Sequence, residues 1–486
     1  MTALPQLPLG WSLLLLAPLT PALANDPGTP LTPPPDPLAA LEGPWRLGEA
    51  IGAPEWLEIG GEFRPRYEYL SEDFRRGREG SVSSLNSRFL MDATASHGNW
   101  RLTGELQDGR ASFVDIEDDS SAAETVYRTA LVNQLELLQA FVGYGDEDFD
   151  VKAGRQTIIL GSRRHVHRNG YRNTINAFTG VRAKRMFEDG SVLNAFYVVP
   201  IRRLPNEVSE IENDQVEFDT EQWGTRFSTL HYKTPLLGSG YSTELYVYGL
   251  DENDREGTAT RDRQLITVGA RIDHPAEPGE HVFEWESCYQ FGTSKLSTAA
   301  DAEELDHSAF FHHLTLGYRF DSWGTPRAEL LFDYASGDED PDDGKNQRYD
   351  GLYGVPAFEW GVTGIFAPFD RINAISPGAR VEFQPTAKTR AELMFRSVWL
   401  ESDTDVWSRA GLRDPTGQSG SYIGDLTQLR VRHDLIPKSV QLDVGAAYLH
   451  GQEFMEAAAA AAPGAPNYGP GSSNVAYFWV GMLFTF

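Results

Sequence analysis

The chain is poor in three features on which many proteins depend. Of its 486 residues only Cys288 is a cysteine, which excludes an intramolecular disulfide and a cysteine-based metal cluster. Positive charge is scarce, with 42 Lys and Arg against 70 Asp and Glu. The resulting formal net charge of −28 argues against a nucleic-acid partner. The one continuous apolar run, residues 11–24, is too short and too interrupted to span a membrane as a helix.

Motifs of the common enzyme classes are also missing. The sequence contains no H-E-x-x-H zinc motif, no G-x-S-x-G nucleophile elbow, no P-loop and no dinucleotide-binding fingerprint. We therefore expect no enzymatic activity.

The N-terminal part predicts export from the cytoplasm. The apolar run ends in Pro21-Ala22-Leu23-Ala24, an A-x-A cleavage pattern, so residues 1–24 are predicted to be a signal peptide. Residues 25–55 are rich in proline and predict an extended periplasmic segment. We assign residues 56–486 to one domain.

The last stretch of the chain predicts a membrane-facing strand. Residues 474–486 alternate between two faces and end on Phe486, with Phe478 and Phe484 on the same face as that residue. An unpaired apolar strand invites aggregation in water, whereas a closed barrel in a bilayer has no free edge. The alternative is the last core strand of a soluble β-sandwich. A terminal Phe also resembles the signal that the outer-membrane barrel-assembly machinery recognises.

The same two-residue period runs from about residue 57 to the end. It predicts roughly 18 strands joined by alternating short and long connections, the rule for outer-membrane barrels. The predicted fold class is therefore all-β: a single transmembrane antiparallel β-barrel of about 18 strands with short periplasmic turns and long extracellular loops. The loops 158–176 and 337–371 are long enough to be functional, and we expect them to fold inward as gates.

Arginines recur on the polar faces of the predicted strands. A ring of arginines in a pore favours anions, and guanidinium pairs bidentately with carboxylate. Alternatively, these residues form cross-strand ion pairs that brace the wall. The candidates are Arg64, Arg66, Arg88, Arg101, Arg182, Arg226, Arg271, Arg319, Arg380, Arg396, Arg430 and Arg432.

Metal binding has weaker support. Asp338, Asp340 and Asp342 could offer oxygen ligands to a loop-bound Ca²⁺, but their spacing is not that of an EF-hand, and a solvated acidic loop is the alternative. His165 and His167 lack an evident third ligand, which favours a basic loop that contacts substrate or folds into the lumen. His312 and His313 should point to opposite faces of a strand. No other cofactor is expected.

One stretch resembles a known family. Gly154-Arg155-Gln156, a basic loop, Arg172-Asn173-Thr174 and then Phe178-x-Gly180-Val181-Arg182 are similar to the alginate-export family of outer-membrane porins. The acidic stretch 335–340 is similar as well, and the resemblance spans roughly residues 55–486.

The resemblance implies a monomeric 18-stranded barrel whose arginine-rich pore passes polyanionic polysaccharide outward. Arg88 and Arg155 match basic positions of the family pattern, and Arg172 lies within it. The family has charged residues where this chain has other types. These positions are Leu138, Gln139, Thr157, Asn173, Leu442 and Val444.

The sequence therefore predicts a channel in the bacterial outer membrane that passes an alginate-like polyuronate or other anionic solutes by passive diffusion. A general or differently selective porin for small-molecule uptake is the main alternative; an adhesion barrel with a plugged lumen and a barrel enzyme are two others. The expected partners are outer-membrane lipid and lipopolysaccharide, the solute, and the assembly machinery during insertion.

Overall fold

The computed structural model describes residues 44–116, 123–236, 239–340, 342–461 and 473–486. Short helices lie at Leu47–Ala50, Ala123–Val126, Val208–Glu212, Ala357–Trp360 and Glu453–Ala461. Two-residue strands at Thr220–Glu221 and Lys345–Asn346 lie in long loops. The barrel strands are β1 Leu57–Leu70, β2 Val82–His97, β3 Trp100–Ile116, β4 Asn133–Gly145, β5 Phe149–Gln156, β6 Phe178–Met186, β7 Val192–Arg202, β8 Thr225–Pro235, β9 Ser242–Glu252, β10 Gln264–His274, β11 Glu280–Ser294, β12 Leu305–Arg319, β13 Arg327–Ala335, β14 Ala374–Thr386, β15 Thr389–Trp399, β16 Tyr422–Ile436, β17 Val440–Gly451 and β18 Val475–Thr485.

These 18 strands form one closed antiparallel barrel, as the sequence predicted. β18 returns to pair with β1, with Thr485 opposite Glu62 and Val480 opposite Tyr67. Phe486 continues the closure, since its backbone N–H donates to the Gly61 carbonyl and its carbonyl accepts from the Gly61 N–H, both at 2.9 Å. Closure satisfies the backbone groups that an edge strand would leave open.

The two faces of the wall differ as the alternation predicted. On β1, Phe63, Tyr67 and Tyr69 are exposed on the outside, whereas Arg66 and Glu68 are buried inside. The strand connections alternate between short turns and long loops, so one rim of the barrel carries all the long loops. We call this the long-loop rim. Among the described residues, no helix has the length and apolar character needed to cross a membrane.

The lumen face was predicted to be polar, but near the long-loop rim it is largely apolar. Phe227, Tyr248 and Phe311 point inward from the wall and are almost completely buried. They pack with Val166 and Tyr349, which belong to two of the long loops. A second apolar cluster on the opposite side includes Phe366 and Trp479. This packing holds long loops inside the barrel.

The predicted signal peptide, residues 1–24, and the proline-rich segment as far as residue 43 lie outside the described residues. Beyond them, the Trp45 N–H donates to Ser439 Oγ at 2.7 Å. Ser439 lies in the short turn between β16 and β17, so the described N-terminal residues lie at the short-turn rim of the barrel.

Candidate functional site

Two long loops fold into the lumen, as the sequence predicted. We call residues 157–177 the basic loop and residues 336–373, apart from the undescribed residue 341, the long loop. The carbonyls of Gly170 and Arg172 in the basic loop accept hydrogen bonds from Arg64 at 2.7 and 2.8 Å. Arg88 donates to the same two carbonyls at 2.7 and 3.0 Å. These two predicted arginines therefore bind the basic loop to the wall.

Arg66 fixes the tip of the basic loop. It donates to the Tyr171 carbonyl at 2.7 Å, and its guanidinium lies 4.2 Å from the centre of the Tyr171 ring. Glu68 accepts from Arg66 Nε at 2.7 Å and neutralises its charge. Cation–π contact and charge pairing together hold the tip against β1.

The other end of the basic loop is anchored across the barrel. Arg164 pairs with Glu284 at 2.5 Å, Glu286 at 2.6 Å and Glu359 at 2.7 Å. Glu284 and Glu286 belong to β11. This strand lies opposite β2, the strand of Arg88, because nine of the 18 strand positions in the ring separate the two. The basic loop thus crosses the whole lumen.

The long loop joins this ion-pair hub. Glu359 also pairs with Arg371, and the N–H of Ile365 donates to Glu68 at 2.8 Å. Burial alone would lower the pKa of Arg164, but its three carboxylates raise it well above the usual value. The hub links two loops to β11 through one permanently charged guanidinium.

The two histidines of the basic loop take separate partners and do not share an ion. His165 stacks on Tyr248, and its Nε2 lies 3.0 Å from Tyr349 Oη and 3.6 Å from Cys288 Sγ. His167 Nδ1 instead accepts from the Asn169 N–H at 2.8 Å. Burial lowers the pKa of His165 to about 4 and that of His167 to about 3. Both rings are neutral at physiological pH.

Four arginines gather where the long loops meet at the rim. This mouth cluster consists of Arg128, Arg172, Arg203 and Arg409, each from a different loop. Burial, followed by the charges of Arg409 and Arg203, lowers the pKa of Arg172 to about 9. No hydrogen bond or ion pair links its guanidinium to another described residue.

The other members of the mouth cluster have few counter-charges. Arg128 donates to the Gly364 carbonyl at 3.2 Å. Its pKa lies well below the usual value because of burial and because of neighbouring arginines, Arg172 among them. Arg203 donates to Asn176 Oδ1 at 2.7 Å, and only Arg409 has a close carboxylate, Asp370 at 2.8 Å. The cluster therefore carries an excess of positive charge.

Predicted arginines elsewhere on the wall have carboxylate partners instead. Such pairs brace neighbouring strands and leave little net charge on the lumen face. The pairs are Arg101–Asp150, Arg155–Glu136, Arg155–Glu221, Arg271–Glu244, Arg271–Glu284, Arg380–Glu329, Arg396–Asp333 and Arg430–Asp443. Arg182 donates to Asn194 Oδ1 at 3.3 Å, Arg319 donates to the Ala276 carbonyl at 3.2 Å, and Arg432 lies opposite Asp443 in the strand register.

Contrary to the sequence prediction, Arg226 lies on the outside of the barrel. Phe227 and Thr229 are the buried, inward residues of β8, and Leu230 is exposed on the outer face. Arg226 shares the face of Leu230 because strand residues alternate. It is polar yet faces outward because it lies one residue from the end of the strand at the long-loop rim.

The predicted calcium ligands do not converge. Asp338 is buried and its N–H donates to Asp405 at 3.0 Å, whereas Asp340 and Asp342 are exposed. Across the described residues, the one group of three side chains with metal-ligand proximity is His313, Asp333 and Glu359. Arginines already bind both of its carboxylates. As predicted, His312 and His313 point to opposite faces of β12, since His313 is buried and contacts Asp333, whereas His312 contacts Ser287.

The sequence patterns did not predict Arg164 as the hub of the ion pairs, nor Arg128, Arg203 and Arg409 as members of the mouth cluster. All four residues lie in loops, where no strand period marks a side chain as inward-facing. The density of basic residues in the segment 163–168 was the only signal in the sequence.

Comparison with known proteins agrees with this architecture. A family model described as alginate export matches residues 55–465. The solved structure of Pseudomonas aeruginosa OpdK with vanillate has a TM-score of 0.56 at 11% identity, covering 88% of this chain and 98% of its own. Outer membrane protein OprD from the same organism has a TM-score of 0.52 at 11% identity, covering 88% and 94%. At such low identity, the similarity to these two structures shows a shared fold and nothing more. A search of curated proteins finds no match.

Proposed function

Because the chain belongs to the alginate-export family, which forms channels in the bacterial outer membrane, we propose that it passes anionic solutes by passive diffusion, with an alginate-like polyuronate as the foremost candidate. The observation that carries the proposal is the mouth cluster. A solute that enters between the long loops would meet four guanidinium groups, with one carboxylate, Asp370, close to them.

A protein with an acidic net charge can still select anions. The formal charge of −28 is spread over the whole chain, and selectivity depends on the charges nearest to the path of the solute. Guanidinium groups match the carboxylates of a uronate in geometry as well as in charge. The solute would exchange water for these donors at the mouth and then enter the lumen past the basic and long loops.

Neutral wall pairs support the alternative of a general or differently selective porin for small-molecule uptake. Arg155, Arg271, Arg380 and Arg396 would select little, since each is already paired with a carboxylate. In that case the solute would pass the mouth cluster with weak discrimination. We propose that the channel works as a monomer in either case.

Reversal potential in a planar bilayer with a salt gradient tests the proposal. We expect anion selectivity in the wild type and block by oligo-uronate. Two unit charges about 7 Å apart in water interact by about 0.6 kcal/mol, so Arg172→Gln should reduce anion permeability about threefold. Arg409→Gln should act in the same direction.

Arg185→Gln is the matched control, because Arg185 is an exposed arginine near the end of β6 at the short-turn rim. The proposal would be contradicted if the wild type selected anions only weakly, if oligo-uronate did not block it, and if both mouth variants behaved like the wild type. That outcome would favour the general porin.

A further inference from the structure

The outer face of β7, β8 and β9 changes character towards the long-loop rim. Halfway along the strands it is apolar, with Leu230 and Leu245 51% and 55% exposed. Towards the rim it becomes polar, with Arg226 on β8 directly opposite Asp251 on β9. This transition marks the level at which lipid tails give way to lipid headgroups on the extracellular side.

A cavity of about 390 Å³ lies at this level on the outside of the barrel. Two exposed aromatic residues, Tyr197 and Trp223, line it together with Arg226, Arg255 and Asp251. We call it the outer-rim pocket. Aromatic rings provide flat apolar surfaces on which a sugar ring can rest, and they are typical of the interface between lipid and water.

The two arginines of the pocket are held in position but retain free donors. Arg226 Nη1 donates to the Thr225 carbonyl at 3.0 Å, which fixes its guanidinium beside Trp223. The stem of Arg255 packs on Gly224, where a Cβ would lie 3.1 Å from Arg255 Cγ. Neither guanidinium forms an ion pair with a described residue.

The carboxylates of the pocket already have donors of their own. Asp251 accepts from Asn253 Nδ2 at 3.1 Å. Asp254, which also lines the pocket, accepts from the backbone N–H of Thr260 at 2.6 Å and from its hydroxyl at 3.1 Å. The two carboxylates balance the charge of the two arginines, yet no ion pair among the described residues occupies either guanidinium, and guanidinium forks suit phosphate oxygens.

We propose that the outer-rim pocket binds the phosphorylated amino-sugar headgroup of an outer-leaflet lipopolysaccharide. Arg226 and Arg255 bind the phosphate, Tyr197 and Trp223 contact the sugar, and the acyl chains follow the apolar face past Leu230 and Leu245. The site faces lipid and is separate from the lumen, so it does not depend on what the channel transports.

Native mass spectrometry of the purified full-length protein in detergent tests this site. The probes are bisphosphorylated lipid A, its dephosphorylated form and inorganic phosphate. We expect the wild type to retain bisphosphorylated lipid A, and the double variant Arg226→Gln/Arg255→Gln to bind it about tenfold to a hundredfold more weakly, because charge-assisted hydrogen bonds are lost. Arg185→Gln, a change at an outward arginine of the opposite rim, should leave retention unchanged.

Three results would overturn the proposal. Equal retention of lipid A by the wild type and the double variant would show that these arginines do not bind it. Equal binding of the dephosphorylated lipid would exclude a phosphate contact. Displacement of lipid A by inorganic phosphate at concentrations close to that of the lipid would indicate a simple anion site. Gel mobility before and after heating verifies that each variant is a folded barrel.

Discussion

Replacing Arg164 by glutamine should release the two loops that cross the lumen. The guanidinium pairs with Glu284, Glu286 and Glu359, and the last two side chains are 1% and 0% exposed. Glutamine keeps much of the size of arginine but leaves buried carboxylates without their counter-charge. The unpaired carboxylates repel one another and are more stable when hydrated. Water reaches them only if the loops separate from β11.

The size of the effect follows from the remaining partners. Removing one member of a buried ion pair costs about 3–5 kcal/mol. Glu284 keeps Arg271, Glu359 keeps Arg371, and Glu286 keeps the hydroxyl of Tyr246. We therefore take the lower end, about 3 kcal/mol, which shifts the equilibrium between docked and released loops about a hundredfold.

Single-channel recording in planar bilayers measures that shift as open-state occupancy and conductance. The matched control is Arg101→Gln, which removes the wall pair with Asp150 and touches neither loop. Equal conductance of Arg164→Gln and the wild type, or an equal rise in the control, would show that Arg164 does not hold the loops in the lumen.

Two further perturbations act on the same loops. Because His165 has a pKa of about 4 when buried and about 6.5 when released, the docked loop binds fewer protons, so docking should weaken as pH falls from about 6.5 to about 4. Conductance should rise over that range. His165→Gln should flatten the rise, whereas the control His312→Gln, at an outward residue, should not. A profile that His165→Gln leaves unchanged would show that His165 does not control docking. In the long loop, a Cβ at Gly364 would lie 1.8 Å from Glu68 Oε2. Gly364→Ala should therefore destabilise the docked position of the loop by about 1–3 kcal/mol and raise conductance. Gly351→Ala, where a Cβ meets no atom within 4 Å, is the control, and equal conductance of the two variants would contradict the argument.

Strand order and strand number could be predicted because a membrane wall imposes a two-residue period. Phe63, Tyr67 and Tyr69 must face lipid, and this fixes the inward direction of Arg64, Arg66 and Glu68. Near a rim this constraint weakens, because both faces can be polar there. Arg226 was consequently assigned to the wrong face.

The interior could be predicted only in part for a different physical reason. The loops that fill the lumen bring together residues far apart in sequence, such as Arg164 with Glu359 and Arg128 with the Gly364 carbonyl. No local pattern encodes such contacts. The inward aromatic residues Phe227 and Tyr248 were equally unexpected, since they are stable inside the barrel only because loop residues cover them.

Reversal potentials of the wild type and of the Arg172→Gln/Arg409→Gln double variant, measured in the same salt gradient, decide whether the mouth cluster makes this channel select anions. We expect the wild type to select anions and to be blocked by oligo-uronate, and we expect the double variant to lose about tenfold in anion selectivity, the product of two threefold Coulomb effects. Cation selectivity in the wild type, or equal potentials for the two proteins, would contradict this expectation.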